Sequence, residues 1–236
     1  MTEQLISLNV GIPGTLTYLG KEVPSSFIKT AVQGAVWLNR GGLAGDEQAD
    51  PKNHGGPDKA VCTYPQEHYS YWSSRLNRTL PVAAFGENFT TAGLLEGAVC
   101  IGDIFEVGGA AVQVSQPRQP CFKLAARHEE PTLALWVQET GFTGFYFRCL
   151  KAGWVSSGEP LELVHRNPYG LTVAEANRLM HYDKDDIKGL ERLLDVPELS
   201  SSWRRTFEKR LVGRADSTQE RLQGLRREPI KRGGER

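Results

Sequence analysis

A mainly β fold with inserted helices, closed by a small helical segment at the carboxy end, is what this chain of 236 residues predicts. Up to about Val164 the chain is broken into short β-branched or apolar runs punctuated by glycine and proline, the pattern of a barrel or sandwich rather than of βαβ units. Within that part, two proline-led stretches read as helices. After Val164, apolar residues recur at helical spacing behind a capping box.

The strands are read at Ile6–Val10, Thr15–Tyr18, Ala35–Leu38, Ala60–Tyr64, Ile104–Val107, Ala111–Ser115, Phe145–Leu150 and Leu161–Val164. Pro65 suits the first turn of a helix running to about Leu76, and Pro131 with Thr132 starts another carrying Leu133, Leu135, Trp136 and Val137. Beyond the strands, Thr172 and Glu175 form the capping box of a helix through about Met180. Ile187, Leu190, Leu193 and Leu194 mark a second helix, and Trp203, Phe207 and Leu211 a third. The expected units are a β domain over residues 1–166, a three-helix segment over 167–213 and a charged tail over 214–236, read as a solvated helix fraying into the terminus.

Lys plus Arg equals Asp plus Glu at 28 each, so no overall field recruits nucleic acid or an anionic membrane. There is no basic region followed by an apolar leader, and no run approaches the roughly 18 apolar residues of a membrane span, so a cytoplasmic protein is expected. The cysteines Cys62, Cys100, Cys121 and Cys149 are widely spaced and form no C-x-x-C pair, which argues against a structural zinc site, an iron–sulfur cluster or a dithiol motif. Cys62, Cys100 and Cys149 lie in apolar runs and read as core packing.

Cys121 is different. In Gln116-Pro117-Arg118-Gln119-Pro120-Cys121-Phe122-Lys123-Leu124 two prolines fix φ and remove donors, so the chain must leave its strand before the cysteine. A free thiol is only about a few per cent ionised at neutral pH, and Arg118 or Lys123 nearby favours the anion that attacks carbon or binds metal. A second segment, Gly41 to Asp46 followed by Asn53-His54-Gly55-Gly56-Pro57-Asp58-Lys59-Ala60, sets glycines and a lysine where backbone N–H groups can converge on an anion. His54, Asp46 and Asp58 there are available for proton transfer or hydrogen bonding. A third, Phe85-Gly86-Glu87-Asn88-Phe89-Thr90-Thr91, puts an acid and an amide beside a glycine. The five histidines have no H-x-H or H-E-x-x-H spacing, so a zinc site built from protein ligands alone is not expected.

In order and spacing these three segments, with Ile101-Gly102-Asp103 after the third, resemble the MOSC domain over about residues 5 to 164. More closely, the chain looks like YiiM-type MOSC proteins, a group that confers resistance to hydroxylaminopurine, and its carboxy-terminal helices are similar to the helical appendage of that group. The resemblance implies a closed β-barrel binding a molybdopterin-type molybdenum cofactor, with Cys121 as the protein thiolate on the metal. It also implies reduction of N-hydroxylated compounds to amines. By the same resemblance Lys59 and Arg118 bind the cofactor's phosphate or pterin, Gly55, Gly56 and Asn88 are assigned to it, and His54, Asp58 or Glu87 serve as proton donors or orienters. The chain has no flavin or nicotinamide fingerprint, so an external electron donor such as a flavoprotein is expected as a partner, and no nucleic-acid or membrane partner. The rival reading is a cofactor-binding or sulfur-carrier protein without reductase turnover.

Overall fold

The computed structural model describes residues 3–214 and 218–224; residues 215–217 and 225–236 of the expected tail lie outside the described residues. The chain opens with strands β1 (Gln4–Val10), β2 (Gly14–Tyr18), β3 (Lys21–Ser25), β4 (Thr30–Ala31), β5 (Val36–Asn39) and β6 (Gly42–Leu43), followed by the short helix α1 (Pro51–His54). Next come β7 (Val61–Pro65), α2 (His68–Arg75), β8 (Phe89–Ala92), β9 (Ile104–Val107), β10 (Ala110–Pro117), α3 (Phe122–His128) and α4 (Leu133–Thr140). The rest is β11 (Phe145–Lys151), β12 (Gly153–Val155), β13 (Glu162–His165), α5 (Val173–His181), α6 (Ile187–Leu194), α7 (Ser201–Leu211) and α8 (Gln219–Gln223).

Eight strands form one sheet in the order β13-β9-β10-β11-β7-β8-β1-β4. The expectation of a closed barrel is corrected here: β13 and β4 share no ladder, and the sheet is open. The free edge of β1 is met instead by irregular chain, with Leu5 N–H donating to Glu159 O at 2.9 Å and Gly158 N–H to Leu5 O at 2.6 Å. Gln4 and Pro160 face each other in an isolated antiparallel bridge, flanked by Leu161 N–H donating to Glu3 O at 3.0 Å. The exclusion of βαβ units also fails at one place. β7 and β8 are parallel neighbours joined through α2, which makes the sheet mixed.

Other departures have local causes. Pro65 pairs with Thr91 as the last residue of β7, and α2 begins three residues later, because the buried β7 run Val61–Pro65 is held between β11 and β8. The β2–β3 hairpin turns on Leu19 and Gly20, both at positive φ, as a two-residue loop requires; Pro24 hid β3 from a pattern reading. Helix α3, directly after Cys121, has no proline or side-chain cap to announce it.

Two apolar clusters fill the interior. One lies on the sheet and includes Leu5, Phe89, Phe105, Phe145 and Phe147 together with Leu179, Leu190, Trp203 and Phe207, so α5, α6 and α7 share the sheet's core. Burying an aromatic such as Phe207 there contributes about 1.5–3 kcal/mol. The other packs α2, α3 and α4 around Tyr64, Trp72, Phe85, Leu124 and Leu133. No helix among the described residues is long and apolar enough to cross a membrane.

Candidate functional site

A pocket opens where β7, β10 and β11 end beside α1 and α3. Its enclosed part is about 50 Å³, and its walls include His54, Lys59, Asn88, Arg118, Cys121 and Lys123. That is room for an oxyanion or one end of a larger ligand.

Cys121 caps the start of α3 in an extended conformation (φ −133°, ψ 167°), and its carbonyl accepts from Leu124 N–H at 3.0 Å. Pro117 ends β10 opposite Phe145, and Arg118 is still tied to the sheet edge through its N–H to Gly144 O at 3.0 Å. The thiol is thus carried by a short segment held at both ends. It remains partly exposed. His54 Nε2 lies 3.8 Å from Cys121 Sγ, and on its other side Asp50 Oδ2 is 3.5 Å from His54 Nδ1. Burial is the main cause that pushes the His54 imidazole down to about 4, with Lys123, Lys59 and Arg118 adding to it and Asp50 opposing. At neutral pH His54 is therefore uncharged. Burial works against the Asp50 carboxylate, but two donors from Asn53, with His54 and Lys123, outweigh it and hold its carboxyl below the ordinary range.

Lys59 closes a 3-10 turn over Pro57–Lys59; its Nζ donates to Asn53 O at 2.5 Å and stands 5.9 Å from the Tyr146 ring centroid. Burial lowers its pKa. Arg118 is 6% exposed, with its guanidinium 5.7 Å from the Phe27 ring, and its Nη1 is buried without a hydrogen-bond partner. A buried guanidinium nitrogen with no acceptor costs free energy unless something anionic meets it. Asn88 lines the pocket, with Oδ1 accepting from Cys62 N–H at 3.1 Å and Nδ2 donating to Asn9 O at 3.2 Å.

The structure thus brings His54, Lys59, Asn88, Arg118 and Cys121 together. It places the other sequence-expected residues elsewhere. Asp58 pairs with Arg148 Nη2 at 2.9 Å and accepts from Ser201 N–H at 3.1 Å at the start of α7. Glu87 is fully buried and accepts from the Tyr69 hydroxyl, Ala83 N–H at 3.1 Å, Phe85 N–H at 3.0 Å and Thr90 Oγ1 at 2.9 Å, so it holds the 83–87 turn together. Burial raises its pKa against those donors. Gly55 and Gly56 shape the end of α1 rather than the pocket wall, where Gly86 stands instead. Asp46 pairs with the wall residue Lys29 and accepts from Gly11 N–H at 2.8 Å.

Sequence reasoning missed Asp50, Cys62 and Tyr146, whereas Lys123, expected beside the thiol, does line the pocket. Asp50 carried a signal, since Asp before Pro51 is a helix start and sits four residues before His54. Cys62 and Tyr146 are cross-strand partners on β7 and β11, and strand alternation turns their faces to the pocket while Val61, Phe145 and Phe147 enter the core. Among the described residues no group of three or more His, Cys, Asp or Glu converges as metal ligands. A metal at Cys121 would therefore draw most of its ligands from a bound organic group. Thiol, unpaired buried guanidinium and flanking lysines fit an anionic cofactor of that kind.

Residues 50–162 match the family model described as MOSC domain, and residues 171–214 the one described as YiiM-like, 3-alpha helix domain. Protein YiiM of Escherichia coli (strain K12) is 45% identical over 205 residues, 85% of this chain and 91% of the relative. A protein named Reductase from Gibberella moniliformis (strain M3125 / FGSC 7600) is 38% identical over 156 residues, 64% of this chain but 27% of that longer protein. The crystal structure of YiiM from Geobacillus stearothermophilus superimposes with a TM-score of 0.77 at 42% identity, covering 89% of this chain and 99% of the other. The chain belongs to the MOSC domain family, as a YiiM-like protein carrying that group's three-helix domain.

Proposed function

We propose that this protein is an oxidoreductase that uses a molybdenum cofactor to reduce N-hydroxylated compounds, such as hydroxylaminopurine-type bases, hydroxylamines and amidoximes, to the corresponding amines. The observation that carries this reading is the partly exposed Cys121 thiol beside a buried, unpartnered Arg118 nitrogen in a lysine-lined pocket. Family membership and the reductase-named fungal relative support the oxidoreductase class.

When bound, the cofactor would supply the oxygen-atom acceptor and the two electrons that, with two protons from the pocket and solvent, convert R–NHOH to R–NH2 and water. The chain supplies the rest. Cys121 is the thiolate ligand, and Arg118 and Lys59 hold the anionic part, Arg118 with the planar fork that suits phosphate. His54, uncharged in the free protein and 3.8 Å from the thiol, would be the proton carrier of the pocket. Asp50 orients it. Electrons come from a separate protein, a flavoprotein being the fitting class.

A second reading, a cofactor or sulfur carrier without turnover, is favoured by one observation. Asp50, His54 and Cys121 stand in the acid–base–thiol order of a nucleophilic site. The experiment that tests both is purification from cells that make molybdenum cofactor, with metal and pterin measured and reduced dye supplied with hydroxylaminopurine. Bound molybdenum with amine formation is expected. Absence of molybdenum sinks both readings, and molybdenum without turnover favours the carrier.

A further inference from the structure

After the three-helix domain ends, the chain returns to the site. Helix α8, beyond the residue 214 at which the family match stops, lies against α3 and sends Arg221 to the backbone next to the thiol. One guanidinium nitrogen of Arg221 donates to Pro120 O, and Nη2 donates to Gln138 Oε1 on α4 at 2.7 Å. Leu222 packs on the apolar cluster of Tyr64 and Trp72. Gly224 then turns at φ +66°, where a Cβ would meet the Phe122 ring at 3.0 Å and Tyr18 at 3.2 Å. The tail expected to be solvated is, at these residues, a packed strap.

From this geometry we propose that Arg221 is a positioning residue for Cys121: its planar fork clamps the Pro120–Cys121 peptide to α4, and so fixes where the thiol enters the pocket. Pro120 has its φ set by its ring, but nothing in the ring sets the orientation of its carbonyl. That carbonyl is taken by Arg221, and the next one, of Cys121, by Leu124 N–H. The carbonyl before the cysteine and the cysteine's own are thus each held, one from α8 and one from α3. A single-point donor cannot do this work, because only a fork can reach α4 and the Pro120 carbonyl at once.

The inference rests on Cys121 being the working thiol of the proposed function, and its test separates the two. Hydrogen–deuterium exchange of the full chain, free of cofactor, is read at the amides of residues 121–126. In Arg221→Gln, exchange there should quicken about tenfold, the loss of one hydrogen bond's worth of local stability, while β11 keeps its protection. Arg221→Lys keeps the charge and loses the fork, and should fall between the two. In the holoenzyme, Arg221→Gln should lower kcat about three- to tenfold with KM within about twofold, since positioning acts on the reacting geometry. Parent-like exchange at 121–126 in Arg221→Gln overturns the proposal. So does parent-like exchange in Arg221→Lys, which alone decides the matter if Arg221→Gln does not fold. A chain that shows the exchange effect yet binds no molybdenum would leave the clamp standing and sink the reductase reading.

Discussion

His54 Nε2 faces Cys121 Sγ at 3.8 Å across 67 positions of sequence, and Asp50 closes the line from behind at 3.5 Å. Every residue proposed to handle the cofactor is arranged around that contact. Replacing Cys121 with serine should therefore remove bound molybdenum, or lower turnover by more than about a hundredfold, because a hydroxyl stays protonated where a thiolate would bind. Full activity in Cys121→Ser would refute the ligand assignment.

Arg118 is the converse case. Its buried Nη1 has no partner, a cost to the free protein that an anionic ligand would relieve. Arg118→Met, of similar length and uncharged, should leave the melting temperature level or raise it by about 1–3 °C, while cofactor retention falls. A strong loss of stability would mean that Arg118 is a structural residue.

Asp58 is engaged by Arg148 and by the start of α7, away from the pocket wall. Asp58→Asn should destabilise the fold by about 1 kcal/mol through the weakened tie to the helices, and change turnover less than about twofold. A selective collapse of kcat in a normally stable Asp58→Asn would restore Asp58 as a proton donor.

Gly86 lies in the pocket wall at φ +73°, and a Cβ there would stand 3.0 Å from the Phe27 ring that backs Arg118. Gly86→Ala should cost about 1–3 kcal/mol from backbone strain and displacement of Phe27. Chemical denaturation reads the first effect, and weaker cofactor retention reads the second.

Acid should destabilise the protein through its histidines. His54, His128 and His181 are held at about 4, 4 and 3, burial being the largest cause for each. His128 shows why protonation is resisted: one ring nitrogen bonds Ala84 O at 2.7 Å, and the other meets Arg78 Nη2 at 2.8 Å and so must accept. The unfolded chain binds these protons near pH 6.5, the native chain only near 4 or below. The contribution is thus fully present above roughly pH 6.5 and is lost as pH falls towards 4. Urea midpoints should fall over that window, and less so in His128→Gln; an equal fall in both would exclude His128 as a source.

Much of this protein could be read along the chain. The segments around His54 and Cys121 stood out by residue type, a lysine in a glycine-rich loop and a cysteine between prolines and cations, and the family resemblance joined them with the Asn88 segment into one site. The capping box of Thr172 and Glu175 placed α5, because the bonds that start a helix join residues three apart. Local chemistry is written locally.

What depended on distant contacts was not. Asp58 and Glu87 look as available as His54 in the sequence, and only folding spends them on Arg148 and on the 83–87 turn. Cys62 reads as core until its strand pairs with that of Tyr146 and both turn to the pocket. The parallel β7–β8 pair, the open sheet edge at Pro160 and the strap that brings Arg221 to Pro120 each rest on hydrogen bonds between residues far apart in the chain. The sequence by itself determined which groups could do chemistry; the tertiary structure decided which of them face one pocket and which are spent elsewhere, since burial and pairing are set across the fold rather than by neighbours in the chain.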